Sequence, residues 1–171
     1  MQHLDISHNS ITALPDEFAA LTKLSQLNLN SNNLAEVPPA LQALNQLKIL
    51  SLEGNFLVDI TLLSQLTNLS AIGLDDNHLL MIPPFISSFT SLTAINFANN
   101  VLSSLPDSLC TIPTLTAINL ENNHLMCLPD NFTLLSKLTA IYLDDNNLSN
   151  IPSAIYQLPS LIELRYDYFL Y

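Results

Sequence analysis

Apolar and polar residues alternate in one short phrase that recurs along almost the whole chain. Its clearest copy is LTAINLENNHL, residues 115–125, where Leu115, Ile118, Leu120 and Leu125 are apolar and Asn123 stands between the last two. Near-copies run over 24–34 (LSQLNLNSNNL), 69–79 (LSAIGLDDNHL), 92–102 (LTAINFANNVL) and 138–148 (LTAIYLDDNNL). Asparagine keeps the same place at Asn9, Asn32, Asn55, Asn77, Asn100, Asn123 and Asn146, with spacings of 23, 23, 22, 23, 23 and 23 residues. A period this steady marks a stacked-repeat architecture, in which a unit buries its apolar face only against its neighbours. Within the phrase, Ile118 and Leu120 alternate with Ala117, Asn119 and Glu121. That alternation predicts a short strand with one face buried, and successive copies stack as a parallel sheet roughly 4.8 Å apart.

The second half of each unit has a different period. Leu14-Pro15, Val37-Pro38, Ile82-Pro83, Leu105-Pro106, Leu128-Pro129 and Ile151-Pro152 open it. Proline suits the first turn of a helix, where its missing N–H costs nothing. Asp16, Glu17, Asp107 and Asp130 then stand where a helix N-terminus favours negative charge. Phe18, Leu41, Ile86, Leu109, Phe132 and Ile155 are followed three residues on by Leu21, Leu44, Phe89, Ile112, Leu135 and Leu158. This spacing predicts a short helix or 3₁₀ turn with one face directed at the sheet. The third unit departs, since Asp59-Ile60-Thr61-Leu62 lacks the proline and the unit is one residue short. A local irregularity on the convex side is expected there, with the strand intact.

The pattern LxxLxLxxNxL resembles the leucine-rich repeat family, and the resemblance runs from residue 1 to about 160. It implies an α/β fold, a curved solenoid with a parallel sheet on the concave face and short helices or 3₁₀ turns on the convex face. The chain then reads as one domain, residues 1–171, with repeats starting near 1, 24, 47, 69, 92, 115 and 138 and a partial repeat over 161–171. The resemblance also implies that the side chains of Asn9, Asn32, Asn55, Asn77, Asn100, Asn123 and Asn146 bond the loop backbone of their own and the neighbouring turn. The proline-bearing unit is similar to that of leucine-rich proteins found inside cells and in bacteria, and to the effectors of intracellular bacterial pathogens.

Composition narrows the choice of partner. The 171 residues carry 15 acids against Lys23, Lys48, Lys137 and Arg165, a formal charge of −11. Such a surface repels phosphate backbones and anionic lipid, so neither nucleic acid nor membrane is expected as a partner. A basic protein surface is the natural complement, and solubility is the bland alternative. No stretch approaches the roughly 18 uninterrupted apolar residues of a membrane span. Cys110 and Cys127 fall at non-equivalent places in neighbouring units, and no cysteine-rich flank appears. Together with an N-terminus, MQHLDISHN, that lacks the features of a secretory signal, this predicts a cytoplasmic location, including a host cytosol for a secreted effector. At the far end Tyr166 takes a core slot and Phe169 stands where asparagine belongs, so the last aromatics read either as a lid on the solenoid or as a cut through a longer one.

The outward strand positions are the only surface that repeats in register, and the resemblance implies partner binding there. One column runs His3, Gln26, Ile49, Ala71, Ala94, Ala117, Ala140, Glu163, and the next Asp5, Asn28, Ser51, Gly73, Asn96, Asn119, Tyr142, Arg165. The third runs Ser7, Asn30, Glu53, Asp75, Ala98, Glu121, Asp144, Asp167, with Asp76, Asp145 and Tyr168 beside it. The expected partner-binding residues are therefore Glu53, Asp75, Asp76, Asn96, Asn119, Glu121, Tyr142, Asp144, Asp145, Arg165, Asp167 and Tyr168. Tyrosine and arginine, enriched at binding hot spots, gather at the C-terminal end, although Tyr142 and Tyr168 equally suit an end cover. Paired carboxylates also serve glycosidases and metal sites. An open sheet, however, supplies neither the burial nor the cleft that perturbs a carboxylate, so these acids read as surface charge. No HExxH, GxSxG or glycine-rich loop occurs, and His78 and His124 lie two units apart, about 10 Å at the sheet spacing. The expectation is a non-enzymatic module with no cofactor and no metal, whose partner is a basic protein, an enzyme or another effector. The alternatives are the substrate-recognition arm of a larger ubiquitin ligase and a segment of a signalling scaffold.

Overall fold

The computed structural model describes residues 1–167. Eight three-residue strands follow one another in chain order: β1 His3–Asp5, β2 Gln26–Asn28, β3 Ile49–Ser51, β4 Ala71–Gly73, β5 Ala94–Asn96, β6 Ala117–Asn119, β7 Ala140–Tyr142 and β8 Glu163–Arg165. They form one parallel sheet in the order β1 to β8, each strand pairing only with its neighbours in sequence. Register follows the repeat, as in Leu27↔Leu50, Ile72↔Ile95 and Ile118↔Ile141. The central residue of each inner strand is buried, while its neighbours face outward, so the period-2 pattern is realised as expected.

Behind the sheet each turn carries a five-residue 3₁₀ helix, for example Asp107–Thr111 and Asp130–Leu134. None extends into an α-helix, because the chain must return to the next strand within its 23-residue period. In six of the seven the residue before the helix is proline, its φ between −58° and −76°. The third turn keeps its helix, Thr61–Gln65, but enters it through Ile60 at φ −122° and ψ 17°. There the Asp59 carboxylate accepts bonds from the Thr61 N–H (3.1 Å) and hydroxyl (2.7 Å) and shapes the entry without proline. The expected irregularity thus lies in the entry to this helix on the convex side, and β3 and β4 stay in register.

Leu, Ile and Phe side chains from strand, loop and 3₁₀ helix meet in one continuous core, with Phe89, Phe97 and Phe132 wholly enclosed. At its C-terminal end Tyr166 packs half-buried against that core, and its hydroxyl donates to the Leu148 carbonyl at 3.3 Å. Phe169 and Tyr168 lie outside the described residues. Cys110 is buried, which pushes its thiol up to about 11, and Cys127 is exposed. Among the described residues no helix is long and apolar enough to cross a membrane.

The repeating asparagines hold successive turns together. Asn100 Nδ2 donates to the carbonyls of Phe97 and Ala98 in its own turn and of Leu74 in the preceding one. Its Oδ1 accepts from the Leu79 N–H, again one turn back, at 2.9 Å. Asn32, Asn55, Asn77, Asn123 and Asn146 repeat this arrangement. Asn9, in the first turn, is exposed and reaches only Ile6 and Ser7 of its own turn. Carbonyls such as Leu74 and Phe97 each accept from two asparagines, so the ladder runs unbroken through the loops.

Candidate partner-binding face

The outward columns of the sheet are brought together as the sequence places them. Ala71, Ala94, Ala117 and Ala140 stand in register on β4 to β7 and form a low apolar strip. Backbone bonds continue past each short strand, with Gly54 N–H to Asp75 O, Asp76 N–H to Ala98 O and Asn122 N–H to Asp144 O. The acids of the third column therefore sit side by side at the strand ends. Ala98, buried among them, divides the row into two groups.

The first group is Glu53, Asp75 and Asp76, from which one carboxylate oxygen each lies within 4.8 Å of the others. Burial, reinforced by the charges of Glu53 and Asp76, raises Asp75 to about 6. This corrects the expectation that an open sheet perturbs no carboxylate. Asp75 itself is half-buried at the end of its strand. Three oxygens are half or fewer of the six to eight that Ca²⁺ takes.

The second group joins Glu121, Asp144 and Asp167. Asp144 is also raised, by burial first and then by Glu121 and Asp167. The Asp167 carboxylate accepts the Asp145 N–H across the turn, which fixes Asp167 beside its neighbours. Next to this group the Arg165 guanidinium lies 5.0 Å from the centre of the Tyr142 ring, and its Nε is 3.7 Å from Glu163. Glu163, as hydrogen-bond acceptor and as a nearby charge, raises the Tyr142 hydroxyl. Arg165–Glu163 is the one ion pair among the described residues, and both side chains are largely in solvent. Among the described residues, no other acid of the face forms an ion pair.

Two roles on this face were not anticipated. His8, Ser31, Gly54, Asp76, Asn99, Asn122 and Asp145, each one residue before the ladder asparagine, all have φ between 49° and 63°. Asn, Asp and His are the non-glycine residues most at home there, so Asp76 and Asp145 answer a backbone demand as well as lending charge. The signal was present in the sequence, as a column of Asn, Asp, Gly, His and Ser. Asn96 and Asn119 accept the N–H two residues on, from Ala98 (3.1 Å) and Glu121 (2.9 Å), as side chains at turns do. Asn119 also donates to Glu121 Oε2 and orients that carboxylate. Of the expected binding residues, Tyr168 alone lies outside the described ones.

With this geometry in hand, comparison with known proteins is specific about the fold. Sequence profiles described as leucine rich repeat match residues 1–34 and 67–125, and a second one residues 137–158. No curated protein matches. Among solved structures, a leucine-rich-repeat protein of Leptospira interrogans superposes with a TM-score of 0.85 at 26% identity, over 98% of this chain and 49% of its own. Internalin C2 of Listeria monocytogenes gives 0.77 at 21% identity, over 96% of this chain and 80% of its own. The functional domain of InlJ from the same species gives 0.83 at 20%, over 98% of this chain and 34% of its own. The chain thus spans about half of the Leptospira protein and a third of the InlJ domain.

Proposed function

Because the chain belongs to the leucine-rich repeat family, whose solenoids generally bind other proteins, we propose that it docks a partner protein on its acidic concave face and regulates that partner by covering it. One observation carries this reading: two groups of carboxylates line up in register on an open sheet, and among the described residues none of them forms an ion pair. Desolvated carboxylates that raise one another's pKa gain most from a Lys or Arg brought against them. The partner is therefore a protein with a basic surface, an enzyme or another effector. Tyr142 and Arg165 anchor it at the C-terminal end, where ring and guanidinium are already stacked.

In this reading the module acts by binding alone. Its place is a reducing cytosol, that of a host cell if the protein is a bacterial effector. The similarity to the Leptospira protein supports a bacterial setting. Affinity capture from source and candidate host lysates, followed by binding measurements on variants, tests the proposal. Tyr142→Ala and Arg165→Ala should weaken the captured partner about tenfold or more, while Asn28→Ala and Ser31→Ala should leave it within about twofold. Equal losses at both ends of the sheet would refute the C-terminal anchor.

A further inference from the structure

A second surface lies on the loop edge, just past the ladder asparagines. Phe56 is 50% exposed, Val58 51%, Leu80 63% and Met81 63%, and after a polar interruption at Ser103 and Ser104 the strip resumes at Met126, 71% exposed. The core does not require apolar residues here. Leu57, Leu79, Leu102 and Leu125 fill it from the same loops, and the equivalent places in other turns hold Thr12, Ala13, Glu36, Ser149 and Asn150. Backbone bonds from His78 N–H to Leu57 O and from Val101 N–H to Leu79 O set these loops side by side. The Phe56 and His78 rings lie 5.8 Å apart. Four such turns span roughly 15 Å at the sheet spacing, the length of about ten helical residues.

Charge decides what covers this strip. Two residues before His78, across the bend, stands Asp76 with Glu53 and Asp75, three carboxylates that no cation of the chain offsets among the described residues. A second copy of the chain, itself at −11, would bring like charge to that border. Anionic lipid would do the same. We propose that the loop edge around Phe56, Val58, Leu80 and Met81 is a docking surface for a protein segment that presents apolar side chains bordered by Lys or Arg. The apolar side chains cover the strip, and the cations reach over the bend to Glu53, Asp75 and Asp76. This surface shares those three acids with the concave face but is independent of Tyr142 and Arg165, so the two proposals fail separately.

The test is titration of the ¹⁵N-labelled full chain with synthetic peptides that carry Leu and Phe on one helical face and Lys along its margins. Control peptides have Lys replaced by Glu, or Leu and Phe by Ser. Saturable shifts at Phe56–Asp59 and Asp75–Met81 are expected with the basic amphipathic peptide alone. Leu80→Ser with Met81→Ser, both exposed and confirmed folded by an unchanged melting curve, should weaken it at least about tenfold. Glu53→Gln with Asp76→Asn should weaken it and flatten its salt dependence, and Tyr142→Ala should leave it unchanged. Four results would each overturn the assignment: no saturable binding, equal binding of the Glu peptide, shifts confined to β7 and β8, or indifference to the Leu80 and Met81 changes. Self-association in sedimentation, or partition to phosphatidylcholine vesicles, that the Leu80→Ser, Met81→Ser variant abolishes would equally overturn it, in favour of a second copy or a membrane.

Discussion

Replacing Asn100 by alanine isolates what one rung of the asparagine ladder contributes. The side chain makes four bonds, all to backbone groups of its own or the preceding turn. Three of its partners retain another bond when it goes. Leu74 O keeps Asn77, Phe97 O keeps Asn123, and Ala98 O keeps the Asp76 N–H. The Leu79 N–H, in a residue wholly buried, is left without an acceptor. One orphaned buried donor costs roughly 1–3 kcal/mol, and the vacated volume adds to it, so about 3 kcal/mol is expected in all. Asn100→Asp should cost more than Asn100→Ala at neutral pH, although it keeps the acceptor. Its second oxygen would turn a buried negative charge toward three carbonyls in place of a donor. Asn9→Ala, which removes only exposed bonds within one turn, should stay within about 0.5 kcal/mol. Urea unfolding followed by circular dichroism measures all three. Equal losses for Asn9 and Asn100, or a milder effect of Asp than of Ala, would refute the reasoning.

Other consequences follow from single positions. The folded Asp75 carboxyl is raised to about 6 from an ordinary value of 3.8, so between those values the folded state binds the extra proton. Stability contributed by this group therefore falls as pH rises through that window. Melting temperature measured at pH 4 and pH 7 should show Asp75→Asn flattening the decline and stabilising chiefly at pH 7. Gly54 sits at φ +63° with a prospective Cβ 3.4 Å from Ser31 Oγ, so Gly54→Ala should lose roughly 1–2 kcal/mol in urea unfolding. Gly54→Asn should lose less, because asparagine tolerates this backbone. Phe97 is wholly buried, and Phe97→Ala should cost roughly 3–5 kcal/mol in the same assay.

The fold was legible because each unit states it again. Leu, Ile and Asn at a constant interval determine strand, bend and stacking together, and a single odd unit shows as a departure. Even so, the proline-free entry at Asp59–Ile60 was readable only as an irregularity. That the Asp59 carboxylate shapes the turn through Thr61 needs coordinates, since an Asp-x-Thr string has many other uses. The candidate face was legible as columns, and the register bears those columns out. Its electrostatics were not. The rise at Asp75 depends on how far its side chain is buried and on how near Glu53 and Asp76 come, neither of which a string of residues states. Asp76 and Asp145 show the converse, where residues chosen for charge also meet a left-handed backbone. Nor does the repeat pattern say which residues of the apolar run LLMIPPF are exposed, whereas burial separates Leu79 and Ile82 from the exposed Leu80 and Met81.

The central claim, that uncompensated acids on the concave sheet guide a basic partner onto it, is met most directly by the association rate of the captured partner at two salt concentrations. With electrostatic guidance the rate should fall severalfold between low salt and about 0.15 M, where the Debye length shrinks to about 8 Å. Changing Glu121 to Gln and Asp144 to Asn together should lower the low-salt rate and remove most of that dependence. A rate indifferent to salt in the unmodified chain, or unchanged when these acids are neutralised, would contradict the account.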